Sequence, residues 1–271
     1  VRIATWNVNS IRARAERVAA WLERNEVDVL AMQETKAADH LFPYMTFEAV
    51  GYEVAHVGTS QWNGVAIASR VGLDGVASGF AGQPGWGEPV AAEARALGAT
   101  CGGVRVWSVY VPNGRSLDDP HYLYKLDWLR ALREAAAGWP ALPTVVMGDW
   151  NVAPTDADVW DPGYFEGKTH VSDPERTALA AFAEAGFTEL TAAFTPGRFT
   201  YWDYQRLAFP KNRGMRIDLA FGNPAFAARL RGVAIDREER KGAGASDHVP
   251  VVLEVETGSG EPLELAPDGH L

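Results

Sequence analysis

The chain is short of several things, and each shortage excludes a class of protein. It has one cysteine, Cys101, in 271 residues. An internal disulfide is therefore impossible, and the composition fits a reducing compartment. Cys101 lies among small residues and reads as a buried, inert thiol. No stretch approaches the ~20 consecutive apolar residues of a membrane span. Arg2-Ile3-Ala4-Thr5-Trp6 reads as a strand rather than a leader, so a cytoplasmic location is expected. No Ser/Gly linker or block of like charge divides the chain, so residues 1–256 are expected to form a single domain. The composition changes only from Thr257-Gly258-Ser259-Gly260-Glu261 onward, where a flexible C-terminal tail over 257–271 is expected. Positive charge is also scarce overall, with a formal net charge of −10. General affinity for polyanions is disfavoured, but residues 198–241 hold ten Lys/Arg against five Asp/Glu. That basic stretch leaves a local polyanion surface open, with a solvated Arg-rich face as the plain alternative.

What is present is a 47% hydrophobic composition, ample for a large core. Ile11, Ala15, Val18 and Leu22 follow at helical spacing behind Ser10, a plausible N-cap. Val27–Met32 reads as a buried strand, and Tyr52–Val57, Gly64–Ser69, Ala91–Thr100 and Val104–Val111 as further strands. Cys101-Gly102-Gly103 signals a hairpin turn. The loop Gly82–Pro89 carries an exposed-looking Trp86. Leu117–Ala137 reads as a helix with Tyr122, Leu126, Leu129 and Leu132 on one face. A third helix starts at Asp173-Pro174, with Asp as its cap. Residues 143–149, Arg216–Phe221 and Val249–Val255 complete the strands. Helices interspersed among many strands exclude a simple parallel βαβ fold and favour two packed sheets with helices outside.

Polar groups recur where the apolar runs stop or start: Asn7, Glu34, Asp149 with Asn151, Asp218, and Asp247 with His248. Each alone could be a cap, a turn or a surface charge, and Asp218 could pair with Arg216. Asp149 and Asn151 lie two apart, which on an extended backbone turns both to one side. A carboxylate and an amide placed so would suit a metal, a water or a phosphate. If all these ends met at one edge, the carboxylates would repel unless a cation joined them. Trp-Asn-Val occurs twice, at 6–8 and 150–152, with no longer repeat behind it.

Seven runs carry a resemblance: Ala4–Arg12, Gln33-Glu34-Thr35-Lys36, Trp62–Ile67, Tyr110–Arg115, Gly148–Pro154, Asn212–Asp218 and Ser246–Val251. In order and spacing they resemble the exonuclease III family of abasic-site endonucleases, within the endonuclease/exonuclease/phosphatase superfamily. The resemblance implies an α+β fold, a four-layer αββα sandwich of two mixed β-sheets flanked by helices. It implies a metal-dependent phosphodiester hydrolase that cleaves 5′ to abasic sites in duplex DNA. Possible further activities are 3′→5′ exonuclease and 3′-phosphatase or phosphodiesterase action on blocked 3′ ends. By the same resemblance Glu34 is the principal ligand of Mg²⁺ (or Mn²⁺), with Asn7 beside it, and Asp247 binds metal or positions the leaving group. Asp149 acts on the attacking water, Asn151 fixes that water or a phosphate oxygen, and Tyr110 donates to the phosphate or leaving oxygen. His248, oriented by Asp218, faces the phosphate. Asn113, Arg115 and Arg213 are expected to touch the DNA backbone, with Lys125, Arg176, Arg198 and Lys211 as weaker candidates. Tyr201, Trp202, Met215 and Ile217 are expected to line the abasic pocket, Met215 standing where relatives often carry Trp. A monomer is expected. A lipid phosphatase of the same superfamily would lack Asn113-Gly114-Arg115 and the Asn212–Asp218 run. A silent binding protein would have lost some of the acids, and here every one is present.

Overall fold

A computed structural model describes residues 1–256; the tail expected over 257–271 lies outside the described residues. Among the described residues twelve strands form two six-stranded sheets. The first contains β1 (Arg2–Asn7), β2 (Val29–Gln33), β3 (Glu53–Val57), β4 (Val65–Ser69), β11 (Leu230–Ile235) and β12 (Val251–Val255), in the order β11-β12-β1-β2-β4-β3. The second contains β5 (Asp74–Ser78), β6 (Ala96–Cys101), β7 (Val104–Tyr110), β8 (Thr144–Asp149), β9 (Thr188–Glu189) and β10 (Asp218–Gly222), in the order β5-β6-β7-β8-β10-β9. Strands β5, β9 and β11 escape the sequence reading because they are partly exposed edge pieces with weak apolar patterning. Among the described residues no helix is long and apolar enough to cross a membrane.

Period-two alternation builds the layers. Ile3, Val29, Ala31 and Ile67 face Val106, Val145, Met147 and Ala220 between the sheets. On the outer face of the first sheet, Trp6 packs with Val18, Trp21 and Leu22 of helix α1 (Ala15–Arg24). On the outer face of the second, Val146 and Trp150 pack with Trp128 and Leu129 of helix α3 (Pro120–Ala137), and with Leu179 of helix α5 (Asp173–Ala180) and Phe182. This is the αββα sandwich.

The repeated Trp-Asn-Val acquires a meaning here. Read from β11 and from β9, both sheets pair antiparallel, antiparallel, parallel, antiparallel, antiparallel. β1 and β8 hold equivalent places, and each is followed by the tripeptide's buried Trp or contains it. Trp6 Nε1 donates to the His248 carbonyl and Trp150 Nε1 to the Leu219 carbonyl, each to the chain beside it.

Local departures from expectation have local causes. Ser10 does not cap α1: its φ is 85°, and a 3-10 turn over Ile11–Ala13 intervenes. Ser172, not Asp173, caps α5, in a reciprocal capping box with Glu175. Asp119 caps α3, so that helix starts three residues after Leu117. Residues 91–95 are loop rather than strand. The Gly102-Gly103 turn joins β6 to β7 with Cys101 opposite Val104. Trp86 is half-buried, stacked on Tyr124 with ring centroids 5.1 Å apart.

Candidate active site

The C-terminal ends of the two parallel pairs, β1–β2 and β7–β8, meet at one edge of the sandwich. Asn7 shares the inward face of β1 with Ile3, and Asp149 shares the inward face of β8 with Val145 and Met147. The two sheets are joined there by side chains. Asn7 Nδ2 donates to Asp149 Oδ2 at 2.9 Å and to Glu34 Oε1 at 2.8 Å. Glu34 immediately follows β2, and its other oxygen meets Lys36 Nζ at 2.9 Å. Asp218 opens β10 directly opposite Asp149. It lies 2.8 Å from His248 Nδ1, while His248 Nε2 lies 3.7 Å from Asp149 Oδ2.

Asn151 reaches this group by a different route from the one expected. The strand stops at Asp149, and Asn151 has a left-handed backbone with φ 51°. Strand alternation therefore does not align the two side chains. Instead the Asn151 backbone N–H donates to Asp149 Oδ1 at 3.0 Å. The Asn151 amide donates to the Val111 carbonyl, and its oxygen lies 3.1 Å from His170 Nε2 and 3.4 Å from Asn113 Nδ2. Asp247 stands one residue further out: Asn9 Nδ2 donates to it at 3.0 Å, and Asn9 Oδ1 accepts from Lys36.

Burial sets the protonation chemistry. Desolvation pulls His248 down, but Asp218 and then Asp149 outweigh it and raise its pKa to about 10, so the ring is an imidazolium at neutral pH. Burial raises Asp149 to about 7; His248 opposes the rise, and Asp218 and Glu34 add to it. Burial also lifts Glu34, but Lys36 and the Asn7 amide prevail and hold it below the usual carboxylate range. Tyr110 is pushed well above its ordinary value by burial and by Glu34 and Asp149, so its hydroxyl keeps its proton.

Glu34, Asp149 and His248 each present a possible ligand atom within 4.8 Å of the others. As an imidazolium His248 offers no free lone pair to a cation, which leaves carboxylate oxygens, a hard donor set without thiolate. Burial is the main cause of the raised Asp149 pKa, and the neighbouring carboxylates Asp218 and Glu34 add to it. A hard divalent cation therefore fits these residues.

A cavity of about 320 Å³ adjoins this site, lined by the aromatic Trp160, Tyr164, Phe165 and Tyr201, by Met215, and by polar groups that include Asp203 and Arg213. Tyr201 links the two, its ring 4.8 Å from that of His248. Of the four expected pocket residues, only Tyr201 and Met215 line the cavity. Trp202 points away: it is fully buried against Phe209 and Val249, with Nε1 donating to Asn212. Ile217 is buried behind Met215. Period two explains Trp202, since Tyr201 and Trp202 face opposite ways on an extended segment.

Lys125 is also not a surface contact. It is fully buried on α3, bonded to Glu175 and to the Asn151 and Asn113 carbonyls. Arg216 pairs with Asp158 at 2.7 Å and Glu189 at 3.2 Å rather than with Asp218. Arg237 and Arg240 lie over Phe209, and Arg213 lies over Trp160. The basic stretch is thus partly spent on internal contacts. Asn113 and Arg115 are exposed on the loop after β7.

Several contributors went unrecognised in the sequence, among them Lys36, Asn9, His170 and Trp160. Lys36 and Asn9 lie inside the motif runs and could have been noticed there. His170 and Trp160 come from the irregular segment between β8 and α5, where no periodicity marks them. Burial, and then Lys125, lowers the His170 pKa to about 3, so the ring beside Asn151 is neutral.

The Endonuclease/Exonuclease/phosphatase family matches residues 4–248. Exodeoxyribonuclease III of Haemophilus influenzae is 27% identical over 278 residues, covering 94% of this chain and 99% of its own. An AP endonuclease from Archaeoglobus fulgidus superposes with a TM-score of 0.88 at 34% identity, over 95% of this chain and 100% of that one. A 3′ phosphatase from Neisseria, solved with a product DNA hairpin, gives the same TM-score and identity over 94% of this chain and 99% of its own. The chain therefore belongs to the Endonuclease/Exonuclease/phosphatase family, in the exonuclease III branch that contains the AP endonucleases.

Proposed function

We propose that this nuclease hydrolyses the phosphodiester 5′ to an abasic site in duplex DNA and also processes 3′ ends, using Mg²⁺ (or Mn²⁺) and acting as a monomer in the cytoplasm. The observation that carries the reading is the chain Glu34–Asn7–Asp149–His248–Asp218, set beside an aromatic-lined cavity. Glu34 and the neighbouring Asn7 would hold the cation, with Asp247 further out. The cation would supply positive charge to an anionic phosphate and its attacking water.

The chain's own residues account for the rest of the reaction. Asp149 orients a water and takes its proton as the oxygen attacks phosphorus; the bond to the 3′ oxygen breaks and that oxygen takes a proton from solvent, leaving a 3′-hydroxyl and a 5′-phosphate end. The Asn151 backbone N–H fixes Asp149 for this step, and the Asn151 side chain faces the same water or a phosphate oxygen. The imidazolium of His248 donates to a phosphate oxygen and stabilises the charge that develops there. Tyr110, protonated throughout, donates to the phosphate or the leaving oxygen. Asn113, Arg115 and Arg213 hold backbone phosphates and read no sequence. Tyr201 and Met215, with Trp160, Tyr164 and Phe165, receive a sugar that carries no base.

The test is cleavage of an abasic duplex and a 3′-phosphate duplex, with Mg²⁺ and with EDTA. Cleavage that persists in EDTA would overturn the mechanism. Asp218→Asn should move the alkaline limb of the pH–rate profile from near 10 toward neutrality. The sign follows from the raised pKa: the useful imidazolium is present below the folded value and is lost as pH rises through it. An unmoved limb would remove His248 from the rate law. Met215→Ala should change incision at abasic sites more than removal of 3′ phosphates, measured side by side; equal losses would count against the cavity as the sugar's site.

A further inference from the structure

Glu34 is held in an unfavourable backbone conformation. Glu34 has φ 50° and Lys36 φ 51°, both left-handed and neither glycine. Such residues persist only where their surroundings over-determine them. Between them stands Thr35, fully buried, and its hydroxyl lies 2.8 Å from His56 Nε2. The His56 side chain is itself buried, and its Nδ1 lies 2.8 Å from Asp39 Oδ1, in a close but bent contact. Asp39 is fixed in turn, accepting from the Gly58 N–H and donating its own N–H to the Gly58 carbonyl.

Two glycines make room for this row. A Cβ on Gly64, whose φ is 89°, would stand 2.1 Å from Thr35 Oγ1, and one on Gly58 would stand 2.6 Å from the His56 ring. Nothing in the hydrolytic chemistry uses the hydroxyl, the ring or Asp39. Burial lowers the His56 pKa against the pull of Asp39, consistent with a neutral ring that accepts the Thr35 proton at Nε2.

We propose that Thr35, His56 and Asp39 form a positioning clamp that sets the Glu34 carboxylate for the divalent cation. The clamp rests on the reading of Glu34 as the principal ligand. It touches neither substrate nor cation, and acts by fixing the peptide on the C-terminal side of Glu34. Supporting partners of this kind typically tune metal affinity by about 10- to 100-fold.

The experiment measures Mn²⁺ binding by electron paramagnetic resonance, and separately the Mg²⁺ concentration for half-maximal cleavage of an abasic duplex. Thr35→Val, which keeps the side-chain shape and removes the hydroxyl, should weaken Mn²⁺ binding about 10-fold and raise the half-maximal Mg²⁺ by a similar factor. The rate at saturating Mg²⁺ should change by no more than about 3-fold. His56→Ala should do the same, and His56→Gln, which restores an acceptor, should recover part of the loss. The double variant Thr35→Val/His56→Ala should be no worse than the poorer single one. Glu34→Gln serves as the control. If it abolishes Mn²⁺ binding while folded Thr35→Val binds normally, the clamp is overturned and the site assignment stands. If Glu34→Gln binds normally, the site assignment itself fails. A loss of saturated rate with unchanged Mn²⁺ binding would also overturn the clamp.

Discussion

Asp149→Asn should lower the rate of abasic-site cleavage by about 10³-fold or more at saturating Mg²⁺ while leaving the protein folded. General-base catalysis alone is worth about 10²- to 10⁴-fold, and in the proposed mechanism Asp149 supplies it. It is fully buried, faces the inter-sheet side, and takes fixed hydrogen bonds from Asn7 and from the Asn151 backbone. The amide is nearly isosteric but cannot accept a proton, and it removes one negative charge beside His248. Glu34→Ala should be comparably severe for a different reason, the loss of a cation ligand, and part of its loss should return at high Mn²⁺. Single-turnover rates on an abasic duplex, with circular dichroism to confirm folding, separate the two. Near-normal turnover by Asp149→Asn would mean that another group handles the water.

Lys125→Ala should have the largest effect on stability, about 3–5 kcal/mol, because it strands a buried carboxylate. Lys125 Nζ bonds Glu175 inside the layer between α3 and α5, and both side chains are wholly buried. Glu175 also accepts from Thr169, the His170 N–H and Ser172. Burial raises the Glu175 carboxyl, but Lys125 and these donors prevail and lower its pKa to about 2. A depressed carboxyl contributes stability that is complete above its ordinary value near 4.5 and is lost as pH falls through the folded value. Wild-type stability should therefore decline as pH drops from about 4.5 toward 2, and the variant should lose most of that dependence. Urea unfolding at a series of pH values reads both effects. The same lysine holds the Asn151 carbonyl at 2.6 Å, so activity should fall as well, since a displacement of about 1 Å can cost about 10²-fold. A variant as stable as the parent would show that the pair contributes no more than a surface bridge.

The contrast between these two residues shows what could be read from the chain. Asp149 announced itself, as an acid terminating an apolar run inside a motif. Lys125 looked like any lysine on an amphipathic helix, and only packing shows that its ammonium lies in the core, bonded to the loop that carries Asn151. Trp202 stays out of the cavity for a related reason: a motif gives its place along the chain but not which way it faces. His170 and Trp160 had no local signal at all.

By itself the sequence determined the alternation that builds two sheets, the polar strand ends and the residue types available for chemistry. Those are local properties, fixed by side-chain periodicity and by the chemistry of each residue. The tertiary structure alone decided which ends meet. Two parallel strand pairs, packed face to face, bring Asn7 and Asp149 within a hydrogen bond across 142 positions of chain. Their mutual burial then sets pKa values that no isolated residue has, because desolvation and neighbouring charge exist only once the sheets have closed.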